Sequence, residues 1–404
     1  MRDDTYAVMT RFAPADLAEL RDAVAAGLAA EEPIEIVGGG SKRALGRPLQ
    51  TPHLLDLSRL SGIRDYAPSE LVLTAGAATP LAEIERTLAE AGQMLAFEPL
   101  DWRALLGGEG EPACQPTLGG VLACNLSGPR RIKAGAARDH FLGFRAVSGR
   151  SESFKAGGKV VKNVTGYDLC KLMAGSYGTL AALEEVTVKV LPRSEAVATV
   201  LFSGVAPGPA VRLMGMALGS PHEVSGAAYL PAGTAGLRDS LLQEHRAVIQ
   251  GAGTAELLGD AKSAALWRAV GEVAPLLEPG GRAVWRISVA PARGAELAEA
   301  LARALGAEFL LDWGGGLVWA AVPESAGSHD AGADAIRGAI RGNDGSGTGH
   351  ATLVKGSAAL RRAVAVFEPL PAPLTALSRR VKEAFDPKHI LNPGRMVPLD
   401  AGRR

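Results

Sequence analysis

The 404-residue chain has no apolar run of the roughly 18 residues needed to span a bilayer. Its opening, Met1-Arg-Asp-Asp-Thr-Tyr-Ala-Val8, lacks the apolar centre of a secretory leader. Cysteine is scarce, with only Cys114, Cys124 and Cys170. No two of them form Cys-x-x-Cys, and no Cys/His set has ligand spacing. A disulfide framework is thereby excluded, as is a zinc or iron–sulfur site carried by this chain. So sparse a set suits a reducing, cytoplasmic setting. Excess charge is missing too, since 43 Lys and Arg balance 43 Asp and Glu. That balance excludes nucleic-acid binding driven by global charge. The common nucleotide signatures are absent as well. Gly38-Gly-Gly-Ser-Lys42 fails G-x-G-x-x-G because Arg43 takes the third glycine's place, and no Gly-Lys-Ser/Thr follows it.

Glycine, by contrast, is abundant. Fifty glycines and 25 prolines are spread without a period, so collagen-like and disordered readings fail. Clusters concentrate between residues 115 and 189. They include Gln115-Pro-Thr-Leu-Gly-Gly120, Asn125-Leu-Ser-Gly128, Gly157-Gly158 and Ala174-Gly-Ser-Tyr-Gly-Thr179. Glycine costs backbone entropy, so each cluster needs a reason. Gly-rich turns of a β-rich domain are one. Several clusters in series between apolar strands favour another, a long ligand laid across many loops. Gly38, Gly39 and Gly40 end a predicted strand at 33–37. There they form either an ordinary glycine turn or a nest of backbone N–H groups for an anion.

Hydrophobic periodicity predicts an α+β protein. A helix is expected over 15–29, and strands over 33–37, 53–57 and 70–75. A helix follows with Thr79 as N-cap, Pro80 at the first helical position and Gly92 at C′. A strand over 180–191 ends the first domain, and Pro192-Arg193 sets the boundary near residue 196. The second domain, 196–360, is expected to be α+β with a mostly antiparallel sheet. Its strands are predicted at 198–202, 223–230, 247–250, 284–289, 309–312 and 316–322, and its helices at 256–270 and 294–305. Residues 325–349 read as a flexible connection around one helix. The last segment, 361–404, holds a helix at 375–385. It ends in Phe385-Asp-Pro-Lys-His-Ile-Leu-Asn-Pro-Gly-Arg-Met396, a stiff tail suited to packing back on the first domain.

Five of these stretches together resemble the vanillyl-alcohol-oxidase/PCMH flavoprotein family: Gly38-Gly-Gly-Ser41, Pro116-Thr-Leu-Gly-Gly120, Val161-Lys-Asn-Val-Thr-Gly-Tyr-Asp168, Gly175-Ser-Tyr-Gly-Thr179 and the 385–396 tail. Within that family the chain resembles the FAD-binding E subunits of bacterial glycolate oxidases, with Asp312-Trp-Gly-Gly-Gly-Leu-Val-Trp319 as a further shared stretch. The resemblance implies a PCMH-type FAD-binding domain of two α+β subdomains over 1–195, a cap domain, and a tail returning to the first domain. It places the FAD pyrophosphate on Gly38, Gly39, Gly40, Ser41 and Lys42. Pro116, Thr117, Gly119, Gly120, Asn125 and Gly128 would line a second segment, with Asp139 nearby. Gly175, Ser176 and Thr179 would meet the ribose and adenine end, where Ala181 replaces a frequent glycine. Lys162 and Asn163 would contribute to the flavin pocket. Covalent relatives carry His where this chain has Ser41, and Cys114 is out of register with a second tethering position. Non-covalent FAD is therefore expected.

Oxidation of a 2-hydroxy acid needs a base for the hydroxyl proton and cations for the carboxylate. The His-rich cap segment of catalytic relatives, ending in Asn-x-His, is absent. His222, His245 and His329 read as surface residues, and His350 as a candidate to approach the flavin. Tyr167 reads either as a neighbour of the flavin ring or as a buried structural residue. Arg130, Arg131, Lys133, Arg138 and Arg145 form a basic run, readable as a solvated face, a contact to FAD phosphate or a surface for an acidic partner. The resemblance implies a glycolate dehydrogenase complex with a second FAD-binding subunit, which oxidises the small 2-hydroxy acid, and an iron–sulfur subunit. Any membrane association would come through those partners. A self-sufficient FAD-dependent 2-hydroxy-acid dehydrogenase is the alternative, and a flavin-free structural subunit is a third reading.

Overall fold

The computed structural model of the chain describes residues 10–107, 114–158, 166–231, 255–277, 281–324, 330–342 and 347–398. In the first unit, strands Thr10–Phe12, His53–Asp56 and Ile34–Val37 pair in parallel in that order. Helix Leu17–Ala30 covers this small sheet. Asp16 caps the helix by accepting from the Glu19 N–H at 2.9 Å. Leu20, Ala23, Val24 and Gly27 form its buried stripe at helical spacing, and Ile34 and Leu55 complete that core. A second, antiparallel sheet runs Ile63–Ala67, Val72–Gly76, Ala181–Lys189, Phe141–Ser148 and Ser153–Gly157 in spatial order. Its central strand, Ala181–Lys189, is buried over most of its length. Glu184 is buried there, and the Arg145 guanidinium meets it at 3.0 Å.

Two local expectations change in this unit. Thr79 does not cap the next helix, Leu81–Glu90. Its hydroxyl instead donates to the Gly76 carbonyl at 2.7 Å, closing the turn after the strand, and Pro80 takes the cap position without a side-chain bond. Gly92 does adopt the left-handed conformation that ends the helix, with φ of +66°. Strand Ile63–Ala67 gives no clear signal in sequence, because its Ile-Arg-Asp-Tyr-Ala stretch is largely polar at an exposed sheet edge.

The second unit is built on a four-stranded antiparallel sheet in the order Glu308–Asp312, Leu317–Pro323, Arg282–Val289 and Gly349–Lys355. Period-two alternation splits its side chains between two cores. Trp285, Ile287, Leu311, Val318, Ala320 and Leu353 face helices Pro291–Leu305 and Ala333–Arg341. On the other face, Val284, Leu310, Leu317, Trp319 and Val354 join the core of the first unit. The Trp102 and Trp319 rings meet edge-on with centroids 5.5 Å apart, and the Trp313 indole N–H donates to the Gly128 carbonyl at 3.2 Å. The two units therefore share one apolar core.

Part of this unit departs from the sequence reading. The helix expected over 256–270 begins only at Asp260, because Ala255–Leu258 pairs as a strand with Thr199–Phe202. Of the strand expected over 223–230, only Tyr229 pairs, in a bridge to Leu311. Helix Pro207–Leu218 is an addition to the elements expected from periodicity. The strand expected over 247–250 lies outside the described residues.

The chain ends with helix Ala372–Phe385 and the tail after it. The tail pairs with the free edge of Ile34–Val37: the Ile34 N–H donates to the Ile390 carbonyl at 2.7 Å, and the Asn392 N–H donates to the Ile34 carbonyl at 3.0 Å. Asp386 holds its bend. The fully buried carboxylate accepts from the N–H groups of Ile390 and Leu391 at 3.0 and 2.8 Å and pairs with the Lys382 ammonium. A Cβ on Gly149 would lie 2.3 Å from that carboxylate, so glycine is required there. Asp386→Ala leaves the Lys382 ammonium with the Thr179 and Leu391 carbonyls but no counter-ion, and two buried amides without this acceptor. We predict a loss of about 3 kcal/mol or more in urea unfolding; a loss below about 1 kcal/mol would contradict this role.

Candidate functional site

Strand Ile34–Val37 delivers the chain into Gly38, Gly39 and Gly40, and this loop forms one wall of an open cleft. A Cβ on Gly39 would fall 1.9 Å from the Gln115 carbonyl oxygen, and one on Gly119 2.6 Å from the Ala77 carbonyl oxygen. These two glycines thus let neighbouring loops close on one another, which draws the second wall against the first. Gly40 differs, with φ of +80° and open space for 4 Å around the position a Cβ would take. Its backbone faces the open cleft.

The second wall is the start of helix Leu118–Cys124, where the Thr117 hydroxyl accepts from the Gly120 N–H at 3.3 Å. The third is the 175–178 turn, which carries three left-handed residues, Gly175, Tyr177 and Gly178. A left-handed aromatic residue is strained unless its surroundings impose it. Here the Tyr177 N–H donates to the Ala123 carbonyl, its carbonyl accepts from the Asn392 amide at 2.8 Å, and its ring packs edge-on against Phe367. The tail supplies the fourth wall. The Asn392 side chain also accepts from the Ile36 N–H at 2.8 Å. The buried Arg395 guanidinium donates to the carbonyls of Arg43 and Leu45 and pairs with Glu35 at 3.0 Å.

Gly38, Gly39, Gly40, Ser41, Lys42, Thr117, Gly119, Gly120 and Ser176 line this cleft. Asn125 lines a smaller adjoining cavity, which shares Leu45, Cys124 and Tyr177 with the cleft. The remaining expected residues stand outside the linings. The Pro116 carbonyl accepts from the Leu81 N–H. Gly128 lies beneath Glu98, and Asp139 accepts from the Ala136 N–H at 2.9 Å. Gly175 sits against Asn125, and the Thr179 hydroxyl donates to the Ser176 carbonyl. Lys162 and Asn163 lie outside the described residues, as do His245 and His329. Tyr167 is 90% exposed, so it is not a buried structural residue. His350 stands exposed at the start of its strand and lines neither cavity.

Tyr177, Arg286, Thr352, Asn392 and Arg395 also line these cavities, and the sequence reading did not single them out as site residues. Arg286 does carry a signal: a guanidinium in the middle of Arg282-Ala-Val-Trp-Arg-Ile-Ser-Val289, a strand buried on both faces. Such a residue needs a reason.

Charge in the lining is one-sided. Neither cavity has an Asp, Glu or His among its described lining residues. The Lys42 ammonium donates to the Ser41 hydroxyl at 3.1 Å and pairs with no carboxylate among the described residues, and burial lowers its pKa. Burial likewise lowers Arg286 to about 10, which leaves it cationic at neutral pH, and pushes the Cys124 thiol up to about 11, so that thiol stays neutral. An unpaired cation beside an open glycine turn fits the diphosphate of a dinucleotide.

Comparisons with known proteins agree with this geometry. A family model described as "FAD binding domain" matches residues 10–157, and one described as "FAD linked oxidases, C-terminal domain" matches residues 366–396. The 4-ethylphenol oxidase of Gulosibacter chungangensis superposes with a TM-score of 0.66 at 14% identity, covering 98% of this chain and 91% of that one. An alkyldihydroxyacetonephosphate synthase gives 0.62 at 16% identity, covering 95% and 75%. Fold and cleft thus define an FAD-linked oxidase of the PCMH type, and FAD is its cofactor. Glycolate oxidase subunit GlcE of Escherichia coli is 36% identical over 369 residues, 90% of this chain and 92% of that protein. The chain belongs to the family of that subunit. Glycolate oxidase subunit GlcD of Bacillus subtilis is 40% identical over 85 residues, 21% of this chain and 18% of that protein.

One buried carboxylate near the cap interface gives a pH signature. Asp312 accepts from the Trp313 N–H at 2.7 Å, yet burial pushes its pKa up to about 7 from 3.8. Between those values the folded chain keeps a proton that the unfolded chain has lost, so this group's stabilisation falls as pH rises through the window and is flat above it. Asp312→Asn retains the acceptor and removes the titration. Urea midpoints at pH 5 and pH 8 should show the variant losing about 2–3 kcal/mol less than the parent over that interval; parallel profiles would contradict the assignment.

Proposed function

We propose that this chain is the FAD-holding subunit of a multi-subunit glycolate dehydrogenase, with the main oxidation of glycolate to glyoxylate on a second flavin subunit and an iron–sulfur subunit taking the electrons onward. In this reading residues 1–195 are the FAD-binding domain, 196–360 the cap, and 361–404 the helix and tail that close on the first domain. Similarity over nearly the full length of the Escherichia coli glycolate oxidase subunit supports the subunit identity. The separate likeness to a GlcD subunit is what a related partner would show.

The observation that carries the division of labour is the composition of the two cavities. Hydride removal from a 2-hydroxy acid requires a base for the hydroxyl proton, and the described linings offer no Asp, Glu or His for it. Tyr177 is no substitute, because burial raises its pKa further. FAD, when bound, supplies the two-electron acceptor. Gly38, Gly39, Gly40, Ser41 and Lys42 would hold its diphosphate, with Lys42 as the counter-charge. Thr117, Gly119 and Gly120 would hold the middle of the cofactor, and Ser176 and Gly178 would close the third side. The described linings hold no histidine, and burial keeps the Cys124 thiol neutral, which supports a cofactor held non-covalently.

Anaerobic addition of glycolate to the isolated FAD-loaded chain is expected to leave the flavin oxidised over minutes. The same chain mixed with its two partner subunits is expected to bleach. Rapid bleaching of the isolated chain would overturn this reading in favour of a self-sufficient dehydrogenase.

A further inference from the structure

Residues 130–139 carry four cations, Arg130, Arg131, Lys133 and Arg138, against one acid, Asp139. The two short helices of this stretch, Arg131–Ala134 and Ala137–His140, are held in place from behind. The Asn125 side chain accepts from the Arg138 N–H at 3.0 Å, and the Ser127 hydroxyl oxygen accepts from the Ala137 N–H at 2.8 Å. The buried His140 ring donates from Nε2 to the Ala134 carbonyl at 2.8 Å. The backbone is thereby fixed, while Ile132, Lys133 and Arg138 stand exposed. Asn125 and Ser127 also line the cavity beside the FAD cleft, so this stretch is the outer side of that cavity's wall.

A merely solvated basic face would let each cation turn away from the next and would need no apolar residue at its centre. Neither holds here. Arg131 is half-buried, with its guanidinium 4.4 Å from the centroid of the Trp313 ring. Burial lowers its pKa and Arg138 repels it, with Asp139 opposing. Asp139 is itself committed, since one oxygen accepts from the Ala136 N–H at 2.9 Å and the other meets Arg138 at 3.7 Å. Arg131 and Lys133 pair with no carboxylate among the described residues. Between them, Ile132 is 41% exposed. A Cβ on Gly314 would lie 4.0 Å from the Ile132 Cδ1 and 2.7 Å from the Leu218 Cδ1, so these two side chains flank a glycine of the cap. The result is an apolar centre shared by both units, with cations around it.

An apolar centre inside a polar rim is the anatomy of a protein–protein interface. An arginine already held on an aromatic ring has less side-chain freedom to lose in such a contact. One sign of charge in the rim calls for the opposite sign in the partner. A chain of balanced total charge does not hold nucleic acid by charge, and a single part-exposed isoleucine gives little area to a lipid surface. We infer that residues 130–139, with Leu218 of the cap, form the docking surface for an acidic, apolar-centred face of a partner subunit. The inference rests on the reading of the chain as one subunit of a larger dehydrogenase. It adds the place of contact: a partner seated here spans the junction of the two units, against the wall of the cavity that adjoins the FAD cleft.

The test is binding of the FAD-loaded full-length chain to the second flavin subunit and the iron–sulfur subunit, singly and together, followed by surface plasmon resonance at about 50 mM and about 300 mM salt. For the subunit that docks here, the association rate of the parent is expected to fall steeply with salt. Lys133→Glu combined with Arg138→Glu should lower that rate about tenfold or more at low salt and flatten its salt dependence. Ile132→Ala should instead raise the dissociation rate about fivefold. Flavin content and the urea midpoint are expected to match the parent's in each variant, and Lys133→Glu alone decides the matter if the double variant does not fold. Subunit binding that every variant shares with the parent would overturn the inference and leave the subunit reading standing. Absence of binding to the subunits, singly and together, would overturn both. Loss of binding to phosphatidylglycerol vesicles in the charge variants, with subunit binding unchanged, would assign the surface to a membrane and overturn the inference.

Discussion

A single buried amide, Asn392, ties together the two stretches on which the cleft depends. Its oxygen accepts from the Ile36 N–H just before the glycine turn, and its NH2 donates to the Tyr177 carbonyl in the opposite wall. The distances in sequence are 356 and 215 residues, so neither wall finds its partner until the tail returns. The tail is made for that task. Asp386 fixes its bend, the Ile390 carbonyl and Asn392 N–H extend the parallel sheet by one strand, and Arg395 locks the 43–45 backbone from below. Buried, fully matched polar groups of this kind specify one arrangement, because each alternative leaves a group without a partner. The left-handed backbone at Tyr177 persists on the same terms.

The cap sheet works as a two-sided layer. Its odd-numbered positions from Ala283 to Val289 bury against the cap helices, while Val284 and Trp319 bury against the first unit. A single guanidinium, Arg286, stands in the cross-strand row of Leu310, Trp319 and Thr352, against the Trp313 ring and in the lining of the adjoining cavity. The cleft is thus bounded by glycine turns and the returning tail, and the adjoining cavity adds the cap guanidinium of Arg286.

Much of this is legible from local sequence. Gly38-Gly-Gly-Ser after a strand, the Thr117-led helix start and the 175–179 turn all follow from short-range chemistry, and all appear in the cleft walls or beside them. The strands at 284–289, 309–312 and 316–322 and the helix at 294–305 are readable because their periodicity is strong. Thr79 misleads because a hydroxyl bonded back to Gly76 looks, in sequence, like one poised to cap forward. Ala255–Leu258 merges into a helical pattern because four residues are too few to show a period. Gly128 suggests backbone approach by a ligand, whereas its missing side chain makes room for Glu98; Gly39 lines the cleft and also makes room for the Gln115 carbonyl. Asn392 and Arg395 matter only through contacts distant in sequence, which no local pattern reveals, whereas Arg286 stands out locally as a charge inside an apolar strand.

The central claim is that the returning tail shapes the FAD site. The most direct measurement is the FAD affinity of the deflavinated chain, parent against Asn392→Ala, followed by quenching of FAD fluorescence. The substitution removes two hydrogen bonds that join the cleft walls and no residue proposed to hold the diphosphate. The dissociation constant is predicted to rise by about tenfold or more, since two such bonds contribute roughly 1–3 kcal/mol together, while the far-ultraviolet circular dichroism stays unchanged. An unaltered affinity in a folded variant would contradict the claim.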